Sequence, residues 1–358
     1  MTDCNRRPQP PSLTLAPRCS HAPPLQSSMN LIVLLCPGQG AQAVTMGRAW
    51  HDVSPEARAV FDDAERILGT RLGAPLRSLC FDGPADTLNR TDVSQPAIFT
   101  VSVACLHALC AAWSVSPDEL PLAAAAGLSL GEYTALHAAG AIAFADALEL
   151  VTLRGRAMQD AAEASPSGMV ALIGADEAQA QAVCDAARDG DVLVCANFNA
   201  PGQVVLSGSA AACERAVKTA ESMGLRAQPL PVAGAFHSPL MAPAAERLAE
   251  ALARTTIRPP RCPVLSNVTG LPHGHAGDTM HSGTGGTPAP PAAHADSIRR
   301  RLVEQLTRPV QWADCGRWLA ANTAAAAMHE LAPGRTLAGL MRRIDRGLKV
   351  EAHDVPSE

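Results

Sequence analysis

The 358 residues are 47% hydrophobic and 18% charged, enough to bury a sizeable core in one large domain or two smaller ones. A net charge of −5 gives no basis for nucleic-acid binding, and no run of eighteen uninterrupted apolar residues argues for a membrane span. Eleven cysteines, with no CxxC pair and no Cys/His zinc spacing, read as small core residues of a reducing compartment.

Residues 1–28 are rich in Pro, Ser and Arg, and are expected to be disordered. They read either as a targeting extension or as sequence upstream of a start at Met29. From Met29 short apolar runs alternate with helical stretches, the pattern of an α/β fold with a mainly parallel sheet. Leu31 to Cys36 is a buried strand ended by PGQG, and Pro55 to Gly69 is a helix. Gln95 to Trp113 is a long apolar helix. PLAAAAGLSLGEY reads as a strand, a sharp turn and the start of a helix. Helical pattern resumes from Ala145 to Ala162 after Gly140.

The first part of the large domain is therefore assigned to 29–166, and a different order holds over 167–234. There SGMVALIG is a strand, Asp176 to Arg188 a helix, VLVCANFN and QVVLSG strands, Ala211 to Met223 a helix and LRAQPLPV a strand. This βαββαβ order is that of a ferredoxin-like unit inserted in the larger domain. The large domain returns over 235–350, with 351–358 as a tail. Within it, 270–295 is Gly, Pro, Thr, Ala and His without periodicity, and reads as a disordered surface insertion. His273, His275, His281 and His294 are taken as chance histidines of that loop, with no metal site expected.

The strongest chemical signal is Gly127-Leu128-Ser129-Leu130-Gly131, a GxSxG between an apolar strand and a helix. Glycines permit the tight turn that lifts the serine hydroxyl clear of the backbone. Such a serine needs a base, and His237 in GAFHSPLM follows the last strand of the small unit, where the chain returns to the large domain. His107 and His137 lie in apolar helices and read as structural. PGQGAQ follows the first strand, where Gln39 offers an amide beside two glycines. Arg154, flanked by Leu153 and Gly155, is either a clamp for a substrate carboxylate or the partner of Glu149 in an ion pair. Gly155 inside a helix suggests close packing against a neighbour.

PGQGAQ, QPAI, GLSLGEY, RGRAMQ, NFNAPGQVVLSG, GAFHSPLM, PVQW and APGRTLAGL stand in the order and approximate spacing of malonyl-CoA:acyl-carrier-protein transacylases. The chain resembles that family over about residues 29–348, apart from the insertion. The resemblance implies an α/β-hydrolase-like large domain carrying a ferredoxin-like small domain, with the active site in the gorge between them. It implies Ser129 as nucleophile, His237 as base, Arg154 as ligand of the malonyl carboxylate, and the backbone N–H groups of Gln39 and Leu130 as oxyanion hole. Gln311, in PVQW, falls at the position that orients the histidine. GAFH resembles the HAFH of malonyl-selective domains, in which Phe236 would crowd an α-methyl group. Gly234 departs from that pattern, and Leu128 stands where many members carry His.

The implied activity moves malonyl from malonyl-CoA to the phosphopantetheine thiol of acyl carrier protein through an ester on Ser129, supplying fatty acid synthesis without a metal or other cofactor. A cytoplasmic monomer is expected, with organelle targeting by 1–28 left open. Arg299, Arg300 and Arg301, or Arg342, Arg343, Arg346 and Lys349, are candidate docking clusters for the carrier protein. The competing readings are a discrete acyltransferase of a polyketide pathway and an α/β-hydrolase-type thioesterase. A scaffold-like relative that only binds the carrier should lack the Ser, His or Arg, and this chain has all three.

Overall fold

The computed structural model of the protein describes residues 30–275 and 291–357, together with Met1. The expectations for residues 2–29, including a start at Met29, and the one for His281 lie outside the described residues. Among the described residues eight strands are formed: β1 (Ile32–Cys36), β2 (Leu122–Gly127), β3 (Ser167–Ile173), β4 (Leu193–Ala200), β5 (Gln203–Ser209), β6 (Arg226–Pro229), β7 (Ala327–Leu331) and β8 (Val350–His353).

The large sheet is parallel, in the order β2-β1-β7-β8. All five residues of β1, IVLLC, are buried, as an uninterrupted apolar strand must be when helices cover both faces of a parallel sheet. The helix Thr91–Ala112 runs through this core and begins one turn earlier than its apolar pattern suggests. Its length and composition would let it cross a membrane, but 83% of its most apolar window is buried inside the fold. The helix Phe144–Ala164 packs against it. A Cβ on Gly155 would press on the Thr91 carbonyl and Asp92, the close approach that this glycine foreshadows.

Strands β3 to β6 make a separate antiparallel sheet in the order β4-β5-β3-β6, with the helices Glu177–Ala187 and Ala210–Ser222 in the order βαββαβ. Val170, Leu172, Val183, Leu193 and Leu206 belong to a core of its own. The edge strand β4 is tied to the large unit: Phe198 N–H donates to the Val310 carbonyl at 2.9 Å, and Val310 N–H to Ala196 at 2.8 Å. That pairing covers a sheet edge otherwise left with unpaired peptide groups.

Two expectations are corrected. The stretch 351–358 is not wholly a tail, because Val350–His353 pairs with β7 as a parallel edge strand. Four residues containing Glu351 and His353 give no apolar run by which to recognise it. The low-complexity insertion is also narrower than 270–295. Leu265 bridges Pro272, His273 is buried, and the helix Pro291–Glu304 resumes the fold. His273 escapes a composition-based reading because a buried acid receives its side chain, as described below.

The turn after β2 locks three elements together. A Cβ on Gly127 would run into the backbone of Gly131, and one on Gly131 into the Cys36 carbonyl at the end of β1. Both obstacles are backbone, which cannot swing aside. Gly131→Ala is expected to cost about 3 kcal/mol or more in denaturant unfolding. Parent-like stability would show that the turn relaxes freely.

Candidate active site

Ser129 sits at the turn between β2 and the helix Gly131–Ala138, with φ of 52°, and His237 sits at φ of 58° after β6. Both are non-glycine residues held in the left-handed region, at a cost of order 1 kcal/mol each that the surrounding structure must offset. Ser129 Oγ lies 2.9 Å from His237 Nε2. The other ring nitrogen, Nδ1, lies 2.7 Å from the Gln305 carbonyl oxygen. A carbonyl can only accept, so Nδ1 carries the hydrogen and Nε2 turns its lone pair to the serine hydroxyl. Burial, with the positive charge of Arg154 adding to it, holds the imidazole well below its ordinary range, at about 4.

The group that orients His237 is therefore Gln305, and the assignment to Gln311 is corrected. Gln311 caps the helix Trp312–Asn322 and donates its backbone N–H to the Asn267 carbonyl. Gln305 follows the helix Pro291–Glu304 directly, and carbonyls at a helix C-terminus lack intrahelical partners and can accept from elsewhere.

Arg154 is 1% exposed. Its guanidinium donates to Gln95 Oε1 at 2.7 Å, Gln305 Oε1 at 2.9 Å and Ser129 Oγ at 3.0 Å. Its planar group lies 5.6 Å from the Tyr133 ring centroid. Glu149, the alternative partner, pairs with Arg71 at 2.6 Å instead. Among the described residues no carboxylate forms an ion pair with Arg154, whose hydrogen bonds go to neutral oxygens beside the serine.

Beneath the turn lies a polar cluster that the sequence reading did not assign. Glu132, fully buried, accepts from Asn267 N–H at 2.9 Å, Gln305 Nε2 at 2.7 Å and His273 Nε2 at 2.8 Å. Asn267 in turn donates to the Gly127 carbonyl and accepts from Ser129 N–H. Glu132 and Gln95 lie inside the quoted runs GLSLGEY and QPAI, and a buried acid next to GxSxG was the available signal. Asn267 carries no comparable mark.

Ser129 and His237 open on a cavity of about 470 Å³ between the two units, which Gln39, Leu128, Met158 and Phe236 also line. Gln39 Nε2 donates to Thr91 Oγ1 at 3.1 Å, which holds its side chain against the start of the helix Thr91–Ala112. Leu130 is buried at the N-cap of the helix that follows the serine. The departure at Gly234 has a packing reason, since a Cβ there would collide with Ala162. The nine described cysteines are all buried, as their apolar surroundings suggest.

The profile of the acyl transferase domain matches residues 33–341. The malonyl CoA-acyl carrier protein transacylase of Escherichia coli K12 is 39% identical over 330 residues, spanning 92% of this chain and 97% of the relative. The chain belongs to the malonyl CoA-acyl carrier protein transacylase family. A solved transacylase of this family from Xanthomonas oryzae superposes with a TM-score of 0.79 at 37% identity, covering 92% of this chain and 96% of the other. A malonyl-transacylase solved in complex with a type II PKS acyl-carrier protein gives a TM-score of 0.78 at 33% identity, covering 91% and 96%.

For this transacylase the depressed imidazole sets the acid limit of serine reactivity. A base acts only while neutral, so reactivity should hold down to about pH 4 and fall below it, and not near 6.5. Labelling of Ser129 by a neutral organophosphorus reagent measures this without titrating a substrate. A fall centred near 6.5 would contradict the buried environment of His237.

Proposed function

We propose that this chain transfers the malonyl group from malonyl-CoA to the phosphopantetheine thiol of acyl carrier protein, for fatty acid synthesis. The reading rests on the buried guanidinium of Arg154, held by neutral oxygens 3.0 Å from the serine hydroxyl. A buried cation hydrogen-bonded only to neutral oxygens is costly, and a carboxylate arriving next to the reacting ester offsets that cost through two parallel hydrogen bonds. Relatives that act as malonyl CoA-acyl carrier protein transacylases, one of them solved with its acyl-carrier protein, support malonyl-CoA and the carrier protein as substrates.

In this reading Ser129 Oγ attacks the thioester carbonyl while its proton passes to His237 Nε2. Backbone N–H groups of Gln39 and Leu130 receive the developing oxyanion. The C–S bond breaks, the coenzyme thiolate takes the proton from the imidazolium, and malonyl remains on Ser129. The carrier's thiol then loses its proton to His237 and attacks the ester, and Ser129 Oγ recovers that proton as it leaves. Phe236 narrows the cavity beside the acyl carbon. Side chains supply nucleophile, base and carboxylate ligand, so these steps call for no metal or redox group.

The larger unit is proposed as α/β-hydrolase-like and the smaller as ferredoxin-like, supported by the parallel sheet and by the βαββαβ order. The enzyme is taken to act as a monomer, away from nucleic acid and membrane. Arg342, Arg343 and Arg346 share one surface with Pro201 and Gly339, and are the preferred docking cluster for the acidic carrier. Arg299 is the weaker candidate, because its guanidinium is spent on the Leu252 and Thr255 carbonyls.

Ser129→Ala should give a folded protein that forms no malonyl adduct, as read by mass spectrometry after incubation with malonyl-CoA. An adduct on the variant would move the nucleophile elsewhere. Arg154→Ala should lower kcat/KM for malonyl-CoA by about two to three orders of magnitude, from the 2–5 kcal/mol that truncating such a pair commonly costs. Turnover of acetyl-CoA, which lacks the carboxylate, should hold or rise. Equal proportional losses on both substrates would make Arg154 purely structural.

A further inference from the structure

Far along the large sheet from the serine, β7 and β8 place three ligand-type side chains on one face. Residues 329 and 351 are register partners, and 353 stands two places further along β8, so the alternation of a strand brings all three to the same side. His329 Nδ1 and His353 Nε2 are 2.8 Å apart, and Glu351 Oε2 lies 3.7 Å from the same Nδ1. One ligand atom from each falls within 4.8 Å of the others. We propose that His329, Glu351 and His353 bind one divalent transition ion of the zinc class.

Several features suit that ion. Two imidazoles and a carboxylate converge here, and a neutral imidazole is the form that ligates a metal. Two neutral ring nitrogens facing each other share a single hydrogen. A change of tautomer at the ring that carries it frees both lone pairs without any net loss of a proton. Tetrahedral zinc with nitrogen at about 2.1 Å needs the two atoms roughly 3.4 Å apart, which asks for a parting of only about half an ångström.

Two imidazoles and a carboxylate are a borderline donor set, suited to zinc and not to magnesium or calcium. The edge of Trp113, with ring centroids 5.2 Å from His329 and 6.2 Å from His353, supplies an apolar wall on one side. On the other, Glu351 is exposed, which leaves the fourth position to water. The ion would staple a four-residue edge strand to its neighbour, and its place is remote from the acyl-transfer groups.

Equilibrium dialysis of the full chain against ZnCl2, with MgCl2 as the control cation, is expected to give one zinc ion per chain and no competition by magnesium. Glu351→Gln and His353→Asn should each weaken zinc binding by about tenfold or more, with malonyl transfer at the parent rate. Cobalt loaded in place of zinc should show ligand-field bands of a nitrogen and oxygen set, without the charge-transfer band of a thiolate. Glu351 is exposed, so Glu351→Gln decides the matter even if His353→Asn does not fold. The assignment is overturned if the parent binds no zinc at the stated stoichiometry, or if Glu351→Gln binds it as tightly as the parent.

Discussion

Gln305 holds the reacting groups in one frame. Its carbonyl fixes the tautomer of His237, its side-chain oxygen takes the Arg154 guanidinium, and its amide nitrogen reaches both the Ser129 carbonyl and Glu132. One residue therefore sets the spacing between base, cation and nucleophile. Because a carbonyl does the orienting where many serine hydrolases use an acid, the imidazole sees no compensating negative charge. Its affinity for protons is set by burial and by Arg154.

The polar cluster below that frame answers the strain above it. Ser129 and His237 occupy backbone conformations that neither would choose alone. Asn267 grips the turn through Gly127 and Ser129, and Glu132 grips Asn267, Gln305 and His273 at once. A carboxylate with three donors is well satisfied despite complete burial. This explains why a histidine from a stretch that looks like loop is packed as firmly as the core.

What could be read from the chain divides by the kind of signal each residue leaves. Ser129 announces itself through two glycines at fixed spacing, and the small unit through alternation of strand and helix patterns. Arg154 was visible as a cation in an apolar helix, but its neutral cage needed coordinates to separate it from a pair with Glu149. Gln305 is invisible in its main role, because a backbone carbonyl has no residue identity, and the nearby PVQW points to Gln311 instead. His273 was hidden by the composition around it. Strand β8 was missed because four residues that mix acid, histidine and small side chains carry no period.

The stitch between β4 and Val310 bears on how an acyl group is chosen. Two peptide hydrogen bonds tie the edge of the small sheet to the segment that follows Gln305, so the walls of the cavity are bolted to each other next to the reacting groups. Such a mouth resists opening and closing like a jaw. A carrier's long prosthetic arm would then thread a slot of nearly constant width. Discrimination among acyl groups would come from which ones fit and find the guanidinium, with little help from a lid that closes over the right one.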